Sequence, residues 1–307
     1  MIVNGQSIEL ALDSRCQLGE GPIWDDRVGR LLFVDIEGHE VHAFDPETGH
    51  DETIGAGGYV SAIALDAAGG WLAALQHDIA RFTLAGGIGE RIARIEGDRA
   101  DTRLNDGYVD SRGRFWIGSL SLEKEIGQCA LYRLERDPEY AARAAPRITP
   151  MLDRVTNSNG IDWSPDDRLM YYVDTGTRRI DVFDFDAVSG DIANRRALVT
   201  IDEADGKPDG LIVDADGCLW VALWQGSAVR RYTPDGRLDR QIDLPVSCPT
   251  KCAFGGPDLD MLYITSAHKA LSMEQREREP HAGSLFAARP GVRGKPANRA
   301  RFHAGPP

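Results

Sequence analysis

Six times along the chain a polar residue leads into a short apolar run that closes in a turn. The polar residues are Glu20, Ser61, Asn105, Asn159, Asp209 and Thr250. The runs that follow them are Gly21-Pro22-Ile23-Trp24-Asp25, Ala62-Ile63-Ala64-Leu65-Asp66, Asp106-Gly107-Tyr108-Val109-Asp110, Gly160-Ile161-Asp162-Trp163-Ser164, Gly210-Leu211-Ile212-Val213-Asp214 and Lys251-Cys252-Ala253-Phe254-Gly255. Each breaks at Gly, Pro or Asp and resumes as a second apolar run, as at 31–34, 71–75, 114–117, 169–173 and 219–223. Runs this short, separated by turn chemistry such as Asp45-Pro46-Glu47-Thr48-Gly49 and Pro234-Asp235-Gly236, read as strands. Recurrence at roughly 40 to 50 residues predicts an all-β propeller, in which each four-stranded blade needs its neighbours to bury its faces. The stretch 179–186 alternates acids with aliphatic and aromatic residues and predicts a third strand with one wet face. Only 137–145 and 272–279 have a helical cast, and both are expected to be loops or single turns.

Bulk properties narrow the possibilities. The repeats run through nearly all 307 residues, so one domain spanning 1–307 is expected despite the length. A formal net charge of −13 works against nucleic-acid or anionic-membrane surfaces and favours capture of cations. The five cysteines show no CxxC spacing, which argues against a disulfide framework or structural zinc and for a reducing, cytoplasmic setting. No signal segment and no run of apolar residues long enough to span a bilayer is evident.

A propeller brings the starts of its innermost strands together at one mouth, so the six polar positions must converge. Glu20, Asn159 and Asp209 would then supply two carboxylates and one amide carbonyl. This hard-oxygen set suits one divalent cation such as Ca²⁺, Mg²⁺ or Mn²⁺ and leaves positions open for water or substrate. The plain alternative is that each residue caps a turn, the usual work of Asp and Asn beside Gly. Recurrence at matched positions favours the site.

Leu18-Gly19-Glu20-Gly21-Pro22-Ile23-Trp24, Arg103-Leu104-Asn105-Asp106-Gly107, Ser158-Asn159-Gly160-Ile161-Asp162-Trp163, Pro208-Asp209-Gly210 and Cys252-Ala253-Phe254-Gly255-Gly256 resemble, in order, the gluconolactonase and regucalcin (senescence marker protein) family. The resemblance implies a six-bladed β-propeller that hydrolyses sugar lactones to aldonic acids, with a catalytic divalent metal; some members use Ca²⁺, Zn²⁺, Mn²⁺ or Fe²⁺. It places the metal ligands on Glu20, Asn159 and Asp209 and the substrate contacts on Arg103, Asn105 and Glu123, with Glu125 an alternative to Glu123. Asp209 is the expected general base and a small-molecule sugar lactone the expected partner. Trp24, Trp116, Trp163, Trp220 and Trp224 read as packing, with Trp224 the best exception. Asp35 and Asp174, which close matched second strands, read as structural. The competing classes are a calcium-binding or regulatory propeller without turnover and a phosphotriesterase-like propeller hydrolase.

Overall fold

The computed structural model describes residues 2–3, 6–136 and 146–302. Beside a short two-stranded pairing of Ile2–Val3 with Gln6–Ser7, the strands fold into six antiparallel blades, each ordered as its four strands occur in sequence, with two departures. The sixth sheet takes its outer strand from the N-terminal end, where Glu9–Leu12 pairs with Leu285–Ala288 and ties the two ends of the ring together. The second sheet gains a short parallel strand from the C-terminal segment, Arg299–Ala300 beside Leu65 and Asp66.

The innermost strands are Gly19–Asp25, Val60–Asp66, Thr102–Val109, Ser158–Trp163, Lys207–Val213 and Pro249–Gly255. Almost every residue in them is buried, because each is flanked by its neighbours in the ring as well as by its own blade. The outermost strands are the wet ones: His50–Gly55, Gly87–Arg94 and Ile192–Thr200 carry mostly exposed or half-buried residues. Here the reading of 179–186 needs correction. The third strand Arg179–Phe185 is largely buried, and Asp181 is only 1% exposed. Arg195 reaches it from the outer strand, with its Nη2 2.6 Å from Asp181 Oδ2. Asp181 and the half-buried Asp184 are arginine-paired positions facing the fourth strand, while Asp186 is exposed.

At the far end of three innermost strands the closing acid organises its blade. Asp110 accepts backbone N–H bonds from Arg112 and Arg114, the Arg114 Nε at 2.6 Å and the Trp116 indole at 2.9 Å. Asp214 repeats the arrangement with Asp216, Cys218, Arg231 and Trp220. Asp25 does so with Arg27 and with Trp71 of the next blade. Trp24, Trp116, Trp163 and Trp220 are buried in the blades as expected, while Trp224 is half-buried. The five cysteines are free and buried. The segment 272–279 exceeds a single turn: Met273–Arg278 is a short helix, started by a capping box between Ser272 and Gln275. The segment 137–145 lies outside the described residues. No helix among the described residues is long and apolar enough to cross a membrane.

Candidate active site

Every innermost strand loses register with its neighbour at the matched polar position. The irregularities fall between Glu20 and Ile23, Val60 and Ala62, Leu104 and Gly107, Ser158 and Ile161, Pro208 and Leu211, and Pro249 and Cys252. A β-bulge re-aims the side chain it carries. Here the same bulge recurs around the ring at Glu20, Ser61, Asn105, Asn159, Asp209 and Thr250, all of them buried.

Glu20, Asn159 and Asp209 do converge. Asp209 is within hydrogen-bonding reach of the Asn159 side chain and feels the charge of Glu20. Burial, then Glu20 and Asp106, raise the Asp209 carboxyl well above its ordinary value. Burial, then Asp106, push Glu20 up to about 8. Asn159 donates its amide to Thr175 Oγ1 at 2.9 Å, and Thr175 in turn donates to the Pro208 carbonyl beside Asp209. The amide is thereby oriented, while Asn159 Oδ1 is buried without a protein partner. Two acids that destabilise one another beside an unpartnered carbonyl oxygen are a donor set that a divalent cation satisfies. The residues therefore fit the ion implied by the sequence. Among the described residues no group of three or more His, Cys, Asp or Glu side chains is placed to hold a metal; this set needs the Asn159 amide.

Two further acids fix the backbone just ahead of two of these residues. Asp35 accepts from the backbone N–H groups of Gln17 and Leu18 at 2.8 and 3.0 Å, just ahead of Glu20. Asp174 does the same for Thr156 and Asn157, just ahead of Asn159. Their matched spacing in sequence corresponds to a matched support for the backbone ahead of Glu20 and Asn159.

Arg103 is buried at 3% exposure, and burial lowers its guanidinium to about 10. Its Nη1 donates to Asn105 Oδ1 at 2.7 Å and to the Leu104 carbonyl, its guanidinium stands 5.9 Å from the centre of the Tyr59 ring, and its Nε has no protein partner. Asn105 spends its own amide on the Ser158 carbonyl at 2.7 Å and on Asn157 Oδ1 at 3.2 Å. Asn105 thus aims Arg103 and ties the third blade to the fourth. Glu123 and Glu125 stand exposed on the loop after strand Phe115–Ser121, at the same end of the blade as Arg103.

The sequence reading passed over one pair. Lys251 and Asp106 form a buried ion pair, each side chain only 2% exposed, joining the sixth blade to the third. Each immediately follows a matched polar position, Thr250 or Asn105. The equivalent residues in the other blades are Gly21, Ala62, Gly160 and Gly210. That contrast of two charges among four small residues was the available signal.

Residues 18–268 match the family described as SMP-30/Gluconolactonase/LRE-like region. A Bacillus subtilis (strain 168) protein carrying a provisional name as the sugar lactone lactonase YvrE is 38% identical over 280 residues, 91% of this chain and 93% of that protein. Human regucalcin is 34% identical over 285 residues, again 91% and 93% of the two chains. Among solved structures, a regucalcin from Agrobacterium tumefaciens, described as a calcium-binding protein, superposes with a TM-score of 0.89 at 26% identity, covering 97% of this chain and 98% of that one.

Proposed function

Because the chain belongs to the SMP-30/gluconolactonase/LRE-like family of propellers, we propose that it is a metal-dependent hydrolase of sugar lactones, yielding the aldonic acid. The observation that carries this reading is the pairing of Glu20 and Asp209, two buried acids beside the unpartnered Asn159 carbonyl oxygen. With Asn159 they would hold one divalent ion, which supplies Lewis acidity to the lactone carbonyl and to the alkoxide that leaves as the ring opens. One relative carries a provisional sugar-lactonase name and one solved neighbour is described as calcium-binding; the donor set here is compatible with Ca²⁺, Mg²⁺, Mn²⁺, Zn²⁺ or Fe²⁺.

The chain's own residues do the rest. Asp209 accepts the proton of the attacking water, a role suited to a carboxylate whose proton affinity is raised by its surroundings. Arg103, aimed by Asn105 and backed by Tyr59, offers its free Nε–H to a substrate oxygen. Glu123 accepts from a sugar hydroxyl on the rim, with Glu125 two residues away as the alternative. Fixed polar partners of this kind discriminate against analogues that lack the matching hydroxyl. Initial rates on a panel of pentono- and hexono-lactones, followed by acidification with and without chelator, test the reading. Turnover lost on chelation and restored by a divalent ion is expected. Silence on every lactone by an ion-loaded protein would favour the binding-only alternative.

A further inference from the structure

Of the small residues one place past the matched polar positions, Gly210 makes room for Lys251. A Cβ on Gly210 would come within 2.4 Å of Lys251 Cβ and Cγ, so the glycine is what lets the lysine stem pass. The ammonium then bonds to Asp106 Oδ1, and its Nζ sits 5.7 Å from the centre of the Tyr108 ring. The charged groups around it are Asp106, Glu20 and Asp162. Burial works to lower the lysine's proton affinity, but Asp106 and Glu20 outweigh it, and the group is held above its ordinary value and stays charged. The other Asp106 oxygen, Oδ2, is buried without a protein partner. Below this pair a small cavity lined by Tyr108, Asp162, Ile212, Phe254 and Lys295 continues toward the far end. There Lys295 bonds Asp162 Oδ1 at 3.0 Å and the Trp163 carbonyl at 2.6 Å.

Three acids, Glu20, Asp209 and Asp106, are therefore buried close enough to feel one another, with Lys251 set among them. We propose that Lys251 is a built-in counter-cation for the active site: by cancelling Asp106 it presents two negative charges rather than three to the ion held by Glu20, Asn159 and Asp209, and so sets that ion's affinity. Lys251 touches neither substrate nor ion in this scheme; it is a positioning residue acting through charge. An ion pair buried this deeply is weak evidence for stability, since a well-packed neutral pair often serves as well. What neutral packing does not supply is a fixed positive charge beside two carboxylates in a low-dielectric setting.

The inference rests on the metal-binding reading above, and its test separates the two. The full-length protein is stripped of ions and titrated calorimetrically with Ca²⁺ and with Mn²⁺. Lys251→Gln keeps a hydrogen bond to Asp106 but removes the charge, and should bind the ion at least about tenfold more tightly. Asp106→Asn strands the ammonium and should bind at least about tenfold more weakly. Lys251→Gln/Asp106→Asn restores the original charge total and should fall close to wild type. A single variant that folds poorly does not remove the test, because either single compared with the double gives the sign. Shifts of both singles in the same direction, or no shift in either, would overturn the counter-cation role and leave the pair as packing. A wild-type protein that binds neither ion would instead defeat the metal-site reading itself.

Discussion

The two ends of the innermost strands bury the same kind of residue and treat it in opposite ways. At the far end, Asp25, Asp110 and Asp214 are fully buried, and each accepts backbone N–H groups, an arginine and a tryptophan indole. Burial pushes Asp25 up, but its Arg27 and backbone bonds outweigh this, and its carboxyl ends below its ordinary value. At the mouth, among the described residues, Glu20 accepts only from the adjoining Gly21 N–H, at 2.6 Å, and Asp209 has the Asn159 amide. Both are left with raised proton affinity. A buried acid with all its donors holds the blade together, whereas one short of donors is available for an ion or a proton. The far-end acids have arginine partners, whereas the one buried arginine described at the mouth, Arg103, bonds Asn105 and not Glu20 or Asp209.

The sharpest way to break this contrast is to remove one acid from each end. Asp209→Ala should cost about 10²–10⁴-fold in kcat on whichever lactone is turned over, while leaving the melting temperature close to wild type or raising it. Asp110→Ala should do the reverse. It strips the buried Arg114 of its carboxylate and leaves the Arg114 Nε and the Trp116 indole without their acceptor, which should cost about 3–5 kcal/mol of stability in a denaturant titration. An Asp209 variant that keeps most of its kcat would remove it from the base role. An Asp110 variant of unchanged stability would show that the far-end clusters are dispensable.

The same contrast fixes a pH dependence. Glu20 and Asp209 both have folded-state proton affinities above their unfolded ones. For Glu20 the ion-free folded state therefore binds more protons than the unfolded chain between about 4.5 and about 8, so its contribution is greatest below about 4.5 and is lost as pH rises through about 8; Asp209 acts in the same direction, opposite to that of a salt-bridged carboxylate. A divalent ion competes with those protons. Its affinity should rise from pH 6 to pH 9 with release of protons, and its added thermal stabilisation should be larger at pH 8 than at pH 6. Calorimetry in buffers of different ionisation enthalpy reads the protons directly. A proton release of zero at pH 7 would mean that both acids are already ionised without the ion.

Much of this was legible in the sequence because propeller geometry repeats. Matched positions in six blades must share a radius and a height, so Glu20, Asn159 and Asp209 could be brought together without coordinates. The bulge that aims them recurs for the same reason. What symmetry hides is any contact between blades that breaks it. Lys251 and Asp106 sit 145 residues apart, in runs that read locally as ordinary strand starts, and only the ring sets them facing. Asp181 was misjudged because an alternating strand resembles a half-wet one until the arginine covering it is seen. Asp35 and Asp174 were recognised as matched, but their work on backbone N–H groups two and three residues ahead of a ligand is invisible to side-chain pattern.

The smallest expected effect lies with those two supports. Asp35→Asn keeps the shape and some of the hydrogen bonding, so the backbone ahead of Glu20 should loosen rather than collapse. Removing an outer support of a metal ligand typically costs about 10–100-fold in ion affinity. Here the lower end is expected, because only one of three ligands is affected. Asp174→Asn should act alike through Asn159. Ion titration is the measurement, with kcat at saturating ion as the control that should change little. If Glu20 and Asn159 hold one ion as proposed, the double variant should lose less than the sum of the two single free-energy changes. Strict additivity would mean that the supports act on the blades and not on a common centre.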